Sequence, residues 1–166
     1  MSQTNELEIM ERIALDLEGV EESLASSFNT GAEDFNALIR PLSAAGGKRL
    51  RAQLCLLIAN AGTSVERQRI RIAEAVEMLH LATLIHDDVL DQAEIRRGED
   101  TIHMHKGNKV AILSGDYLFA KAFQIVSEMP NMKYLQIFSH IITCLVEGEF
   151  MQMEDVYRID QGIERY

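Results

Sequence analysis

Apolar residues return every three or four positions through almost the whole chain, and nowhere do they alternate. Leu7, Ile9, Met10, Ile13, Leu17, Val20 and Leu24 open the series. A period near 3.6 places such residues on one face of a helix, and it predicts a first helix from about residue 4 to 28. Phe35, Leu38, Ile39 and Leu42 predict a second, shorter helix interrupted near Pro41. Gly46-Gly47 breaks the chain, and Lys48 to Ala61 reads as a third helix. Thr63 or Ser64 is placed to cap a fourth, which runs through Ile70, Ala73, Val76, Leu79 and Leu84 to about Asp91. Gln92 to Gly107 is polar and too charged for a core element. Val110 to Met129, stopped by Pro130, and Asn131 to about Tyr157 complete an all-α reading, with no linker or repeat dividing residues 1–166.

Composition narrows the functions open to such a bundle. The 166 residues carry a net charge of −10, which argues against a nucleic-acid binder, since that needs a broad basic face to displace counterions. Phosphate must then be held by a few local cations or by metal bridging to carboxylates. Cys55 and Cys144 lie far apart in apolar helical runs and read as buried free thiols in a reducing, cytoplasmic compartment. The N-terminus is acidic and amphipathic, unlike a targeting peptide. The apolar stretch Tyr134 to Val146 is too short and too polar for a transmembrane segment.

Against this background, His80 to His103 is unusual. An apolar helix runs into Asp87, Asp88 and Asp91, and Arg96 and Arg97 follow within ten residues. Asp87 and Asp91, at i and i+4, share a face, and Asp88 lies about 100° round from Asp87. Like charges at that spacing destabilise a helix, and carboxylates at its C-terminus meet the unfavourable end of the dipole. A divalent cation removes both objections, and hard oxygen ligands with room for water and phosphate suit Mg²⁺. The structural alternative is a solvated acidic helix end. The neighbours count against it, because arginine's planar fork suits phosphate oxygens, so the pairing points to a diphosphate.

A second anion site is suggested by AAGGKRLR, residues 44–51. Cations opening a helix oppose its dipole unless an anion is present. Lys48 and Arg51, at i and i+3, share a face, while Arg49 points elsewhere. The bland reading is a flexible turn with surface charge. His80 lies two turns before Asp87 on nearly the same face and is placed to help hold the anion; a lone histidine in an apolar helix is otherwise a core residue. His86 reads as structural, and His103 and His105 as loop residues.

Five segments together, in order and spacing, resemble the trans-type polyprenyl diphosphate synthases: GGKRLR at 46–51, HLATLIHDDVLD at 80–91, RRG at 96–98, LSGDYLFAKAF at 113–123 and EGEFMQ at 147–152. The resemblance implies the all-helical isoprenoid-synthase bundle around a central cavity. It implies a homodimer, or pairing with a complementary chain, and a prenyltransferase reaction in which isopentenyl diphosphate attacks an ionised allylic diphosphate. It assigns Asp87 and Asp91 to Mg²⁺, with Asp88 supporting the same catalytic site. Arg96 falls to the allylic diphosphate, and Lys48, Arg51, His80 and Arg97 to isopentenyl diphosphate. In the family, bulky aromatics four and five residues before the first aspartate shorten the product. Here those positions are Thr83 and Ala82, both small, and imply a product longer than farnesyl.

The chain departs from the pattern in one respect. The family's second aspartate-rich motif is absent, Asp155 and Asp160 being too scattered, and the length is about half the usual. The reading is therefore an N-terminal half expected to be incomplete by itself, with exposed apolar faces that favour self-association. The alternative is a catalytically inactive binding or regulatory fragment that binds diphosphate through Mg²⁺. A phosphohydrolase built on His86-Asp87 lacks upstream histidine ligands, and a terpene cyclase has no need of the Lys48/Arg51/His80 site.

Overall fold

A computed structural model describes residues 3–28, 33–44, 47–62, 65–158 and 162. The elements in order are α1 (Gln3–Ser27), α2 (Glu33–Ala44), α3 (Leu50–Asn60), α4 (Glu66–Leu90), β1 (Ile95–Arg96), β2 (Glu99–Asp100), α5 (Ile102–Lys106), α6 (Asn108–Ser127) and α7 (Lys133–Asp155). The all-α expectation holds, with helix bounds within about three residues of those read from periodicity. The chain divides into two compact units, Met1–Met129 and Pro130–Tyr166.

The first unit is organised around α4. α6 packs along it antiparallel: His86 meets the Ile112 carbonyl at one end, and Arg71 meets Glu128 at the other. Small residues bring the backbones together, with Ala75 and Ala82 of α4 and Ala111, Gly115 and Ala122 of α6 all buried. Gly115 is the point where no side chain fits. A Cβ there would run into the His86 ring. Leu24, Phe28, Ile39, Leu56, Met78, Leu118 and Val126 fill the core, each contributing about 1.5–3 kcal/mol of burial.

α1 and α3 are joined to α4 by buried polar groups as well as by hydrocarbon. Arg69 donates twice to Asp16, at 3.0 and 3.1 Å. Fully buried Glu74 accepts from Ser23 at 2.7 Å, Ser27 at 2.6 Å and Arg71 at 2.6 Å. Glu77, 3% exposed, faces Arg49 and the start of α3. Buried carboxylates are tolerated when every oxygen has a partner, and these do.

Several expectations need correction. Pro41 does not interrupt α2, which continues through it to Ala44 at the loss of one intrahelical amide bond in its last turn. α3 starts at Leu50, so Lys48 and Arg49 precede the helix and the shared-face argument for Lys48 and Arg51 does not apply. The expected caps Thr63 and Ser64, and also Gly46 and Asp160, lie outside the described residues; Val65 occupies the N-cap of α4. The polar segment after α4 is partly ordered and partly core. β1 and β2 pair antiparallel, Ile95 with Asp100 and Arg96 with Glu99, while Thr101 and Ile102 are buried. His103 and His105 sit on the short helix α5 rather than in a loop. Among the described residues one helix, α6, is long and apolar enough to cross a membrane; seven of its residues are buried and it packs on α4.

The second unit is built on α7. Phe138 is buried, whereas Ile137, Ile141, Leu145, Val146, Phe150, Met151 and Met153 are exposed. Cys144 is also exposed, with Sγ 3.7 Å from His140 Nε2, against the expectation of burial. Apolar neighbours in sequence do not say which sector of a helix faces inward. Cys55 is half-buried, and burial pushes its thiol above the usual range.

Candidate diphosphate and metal site at the end of α4

One stripe of α4, formed by Val76, His80, Thr83, Leu84 and Asp87, is half-buried, and it ends in exposed Asp91. These positions fall within one sector of the helix by its 3.6-residue turn. Ala82 is fully buried on the other side, and Thr83 turns its hydroxyl back to the His80 carbonyl at 2.9 Å.

Asp87 and Asp91 close the last turn, the Asp91 amide donating to the Asp87 carbonyl at 2.8 Å. Among the described residues neither carboxylate has an ion-pair partner. The Asp87 carboxyl is raised above its ordinary value, first by burial and then by the charge of Asp91, with Arg96 working in the opposite sense. The unfavourable end of the helix dipole lies here as well. Two hard oxygen donors, mutually repelling and half-solvated, are a suitable pair of protein ligands for a divalent cation that keeps its other positions for water and phosphate. Among the described residues no group of three or more His, Cys, Asp or Glu forms a closed metal cage.

Asp88 is different. It is buried and accepts from Arg96 Nε at 2.5 Å. This ion pair ties the β-hairpin to the end of α4, where the Ala93 amide also donates to the Asp88 carbonyl at 2.9 Å. The hairpin turns through Arg97 at φ 54 and Gly98 at φ 86. Two successive left-handed residues match the right-handed twist of a tight hairpin, and glycine takes the second at no steric cost.

The turn delivers Arg97 to the loop before α3. A Cβ placed on Gly47 would sit 3.6 Å from both Nη atoms of Arg97. Arg51 Nη1 lies 3.2 Å from His80 Nε2. Because arginine can only donate, that nitrogen is the acceptor and the imidazole is neutral. Its pKa is lowered from the ordinary 6.5, by burial first, then by Arg51, with further depression by Arg97 and Arg96 and an opposing contribution from Glu77. Lys48 is exposed. The fold thus gathers Gly47, Arg51, His80 and Arg97 at one place, with Lys48 adjacent in the chain. Asp87 is two turns along the same stripe, about 10 Å by helical rise. Arg49 is turned away into the protein, as expected.

A cavity of about 680 Å³ flanks this end of α4. Its apolar wall includes Leu38, Leu81, Leu84, Ile85 and Ile102, and Asp88, Arg96 and Arg97 stand at its polar side. Ala82 and Thr83 are not among its lining residues. The sequence marks Leu81, Leu84 and Ile85 as an apolar run immediately before the aspartates, without assigning them to a cavity wall.

The model of the polyprenyl synthetase family matches residues 32–166. The chain belongs to that family. Its relatives include octaprenyl diphosphate synthase of Escherichia coli (strain K12), 33% identical over 158 residues, covering 95% of this chain and 49% of that protein. Heptaprenyl diphosphate synthase component 2 of Geobacillus stearothermophilus is 38% identical over 152 residues, covering 91% of this chain and 47% of that one. Among solved structures, the polyprenyl synthase of Caulobacter crescentus CB15, complexed with calcium and isoprenyl diphosphate, superposes with a TM-score of 0.86 at 34% identity. That match covers 94% of this chain and 49% of the other. The chain spans about half the length of the relatives it matches, and the family assignment and isoprenoid-synthase fold expected from the five motifs are borne out.

Proposed function

We propose that the protein is a trans-polyprenyl diphosphate synthase component, contributing the first aspartate motif and the isopentenyl diphosphate pocket to a prenyl-transfer site. The observation that carries this reading is the division of α4's half-exposed stripe into two charge regions. Asp87 and Asp91 have no cation partner among the described residues, while His80, Arg51 and Arg97 converge beside Gly47.

In this reading Asp87 and Asp91 hold Mg²⁺, and Arg96, oriented by Asp88, offers its Nη groups to the allylic diphosphate. A metal bound there would neutralise charge on the departing diphosphate and so act as a Lewis acid. Lys48, Arg51, His80 and Arg97 bind the second diphosphate and hold its carbon chain toward the allylic carbon, which lowers the entropic barrier of the bimolecular step. Apolar walls exclude water from the reacting carbons. The product is longer than farnesyl, consistent with the small residues Ala82 and Thr83 and with relatives named for octaprenyl and heptaprenyl products. The working unit is a homodimer or a pairing with a complementary chain, in the cytoplasm.

Incubating the chain with Mg²⁺, farnesyl diphosphate and labelled isopentenyl diphosphate, and sizing the prenyl products, tests this. A ladder beyond twenty carbons supports a complete enzyme. Mg²⁺-dependent binding of both diphosphates without product supports a component that needs a complement. Absence of binding overturns the reading.

A further inference from the structure

The two cations that follow Gly47 have opposite fates. Lys48 is exposed, whereas Arg49 is 9% exposed and adopts φ 46, ψ 39, a left-handed conformation uncommon for a side-chain-bearing residue. It stands at the N-cap of α3 and makes no side-chain cap bond there. Its guanidinium instead reaches Glu21 of α1, with Nε at 2.6 Å and Nη2 at 3.0 Å, and Glu77 of α4, with Nη1 at 3.5 Å. Glu21 and Glu77 together hold this guanidinium above even its ordinary basicity, the Glu21 hydrogen bond being the leading cause.

Glu77 has a second task. Its other oxygen accepts the Ala52 amide at 3.0 Å. Ala52 is the third residue of α3, whose amide has no acceptor within its own helix. A carboxylate from α4 therefore performs the capping that the residue at the N-cap does not. Glu77 lies three residues before His80 on α4, and Ala52 lies next to Arg51 on α3. One carboxylate consequently fixes the start of α3 against the segment of α4 that carries His80.

We infer that Glu21, Arg49 and Glu77 form a positioning clamp that sets Lys48, Arg51 and His80 for the isopentenyl diphosphate pocket, without touching the substrate themselves. The inference rests on the function proposed above. Strain at a non-glycine left-handed residue persists where the surroundings over-determine it, which is common at binding sites. The clamp also cancels the charge of Arg49, leaving the exposed Lys48 and Arg51 and the nearby Arg97 to face the anion.

The test uses the full 166-residue chain and three variants. Arg49→Gly suits the left-handed backbone but removes the guanidinium. Arg49→Lys keeps the charge but loses the fork. Glu77→Gln keeps the shape but loses the charge. Calorimetry with isopentenyl diphosphate is expected to show about a tenfold to hundredfold loss of affinity in Arg49→Gly, with partial recovery in Arg49→Lys. Binding of farnesyl diphosphate with Mg²⁺ is expected to stay within about twofold, since that end of α4 is held by a separate ion pair. The pH titration of His80, followed by NMR without ligand, is expected to move in all three variants. Unchanged isopentenyl diphosphate affinity with only a lower melting temperature would overturn the clamp. If the parent chain binds no isopentenyl diphosphate, the proposed function fails first, and an unmoved His80 titration then overturns the clamp independently. Should Arg49→Gly fail to fold, Arg49→Lys carries the same comparison.

Discussion

α4 carries two kinds of carboxylate, and they have opposite relations to the fold. Glu74, Glu77 and Asp88 are buried, and each is partnered by named donors from other parts of the chain. Asp87 and Asp91 are half-buried and exposed, respectively, and neither has an ion-pair partner among the described residues. The first kind makes the fold possible, because a buried charge must be matched inside the molecule. The second sets like charges at i and i+4 near the unfavourable end of the helix dipole and so weakens the fold slightly. Position relative to α4's half-exposed stripe, and not residue type, separates the acids partnered within the fold from those that are not.

Breaking the structural kind should give the largest effect. Glu74→Ala leaves Ser23, Ser27 and Arg71 without a common acceptor inside the protein. It is expected to cost about 3–5 kcal/mol, measured by urea denaturation. Asp87→Asn should leave the fold intact while Mg²⁺-dependent binding of an allylic diphosphate falls on the order of 10²–10³-fold. A loss of stability as large as that of Glu74→Ala would erase the distinction between the two classes.

Smaller effects sharpen it. Gly115→Ala forces the His86 ring off α6 and is expected to cost about 1–3 kcal/mol, with the His86 ring resonances displaced in NMR. Asp91→Asn should stabilise the apo chain by about 0.5–1 kcal/mol, because a like charge at i,i+4 and at the wrong end of a dipole is removed; thermal denaturation reads this directly. His80 supplies the last test. Its depressed pKa means the fold favours the neutral ring, so its stabilising contribution is present above the unfolded value near 6.5. That contribution is lost as pH falls below this value toward the folded one. A bound diphosphate favours the imidazolium instead, so affinity for isopentenyl diphosphate should rise modestly between about pH 8 and pH 6. His80→Asn should flatten that dependence in calorimetric titrations.

The helices were legible because their apolar period is long and unbroken, and the aspartates because like charges crowd a core helix. Arg49 was legible only as a residue pointing elsewhere. Its partners lie 28 residues away in either direction, and no local pattern announces a long-range pair. The hairpin was missed because each strand is two residues long, too short to show alternation. Its signal was the Arg97-Gly98 turn. Ile102 was hidden by its charged neighbours, and Cys144 was misjudged because hydrophobic surroundings in sequence are compatible with either side of a helix.

The two halves of the site also differ in how far along the chain they must reach to assemble. Asp88 and Arg96 are eight residues apart, a loop that closes with little entropic cost and can form as soon as the end of α4 is made. The clamp at Arg49 needs Glu21 and Glu77, each 28 residues away, and docks three helices at once. Local pairs of this kind form early and distant ones later. The acidic end of α4 should therefore acquire its shape while the start of α3 is still undocked, and in the function proposed above competence to bind metal should precede competence to bind the second diphosphate during refolding.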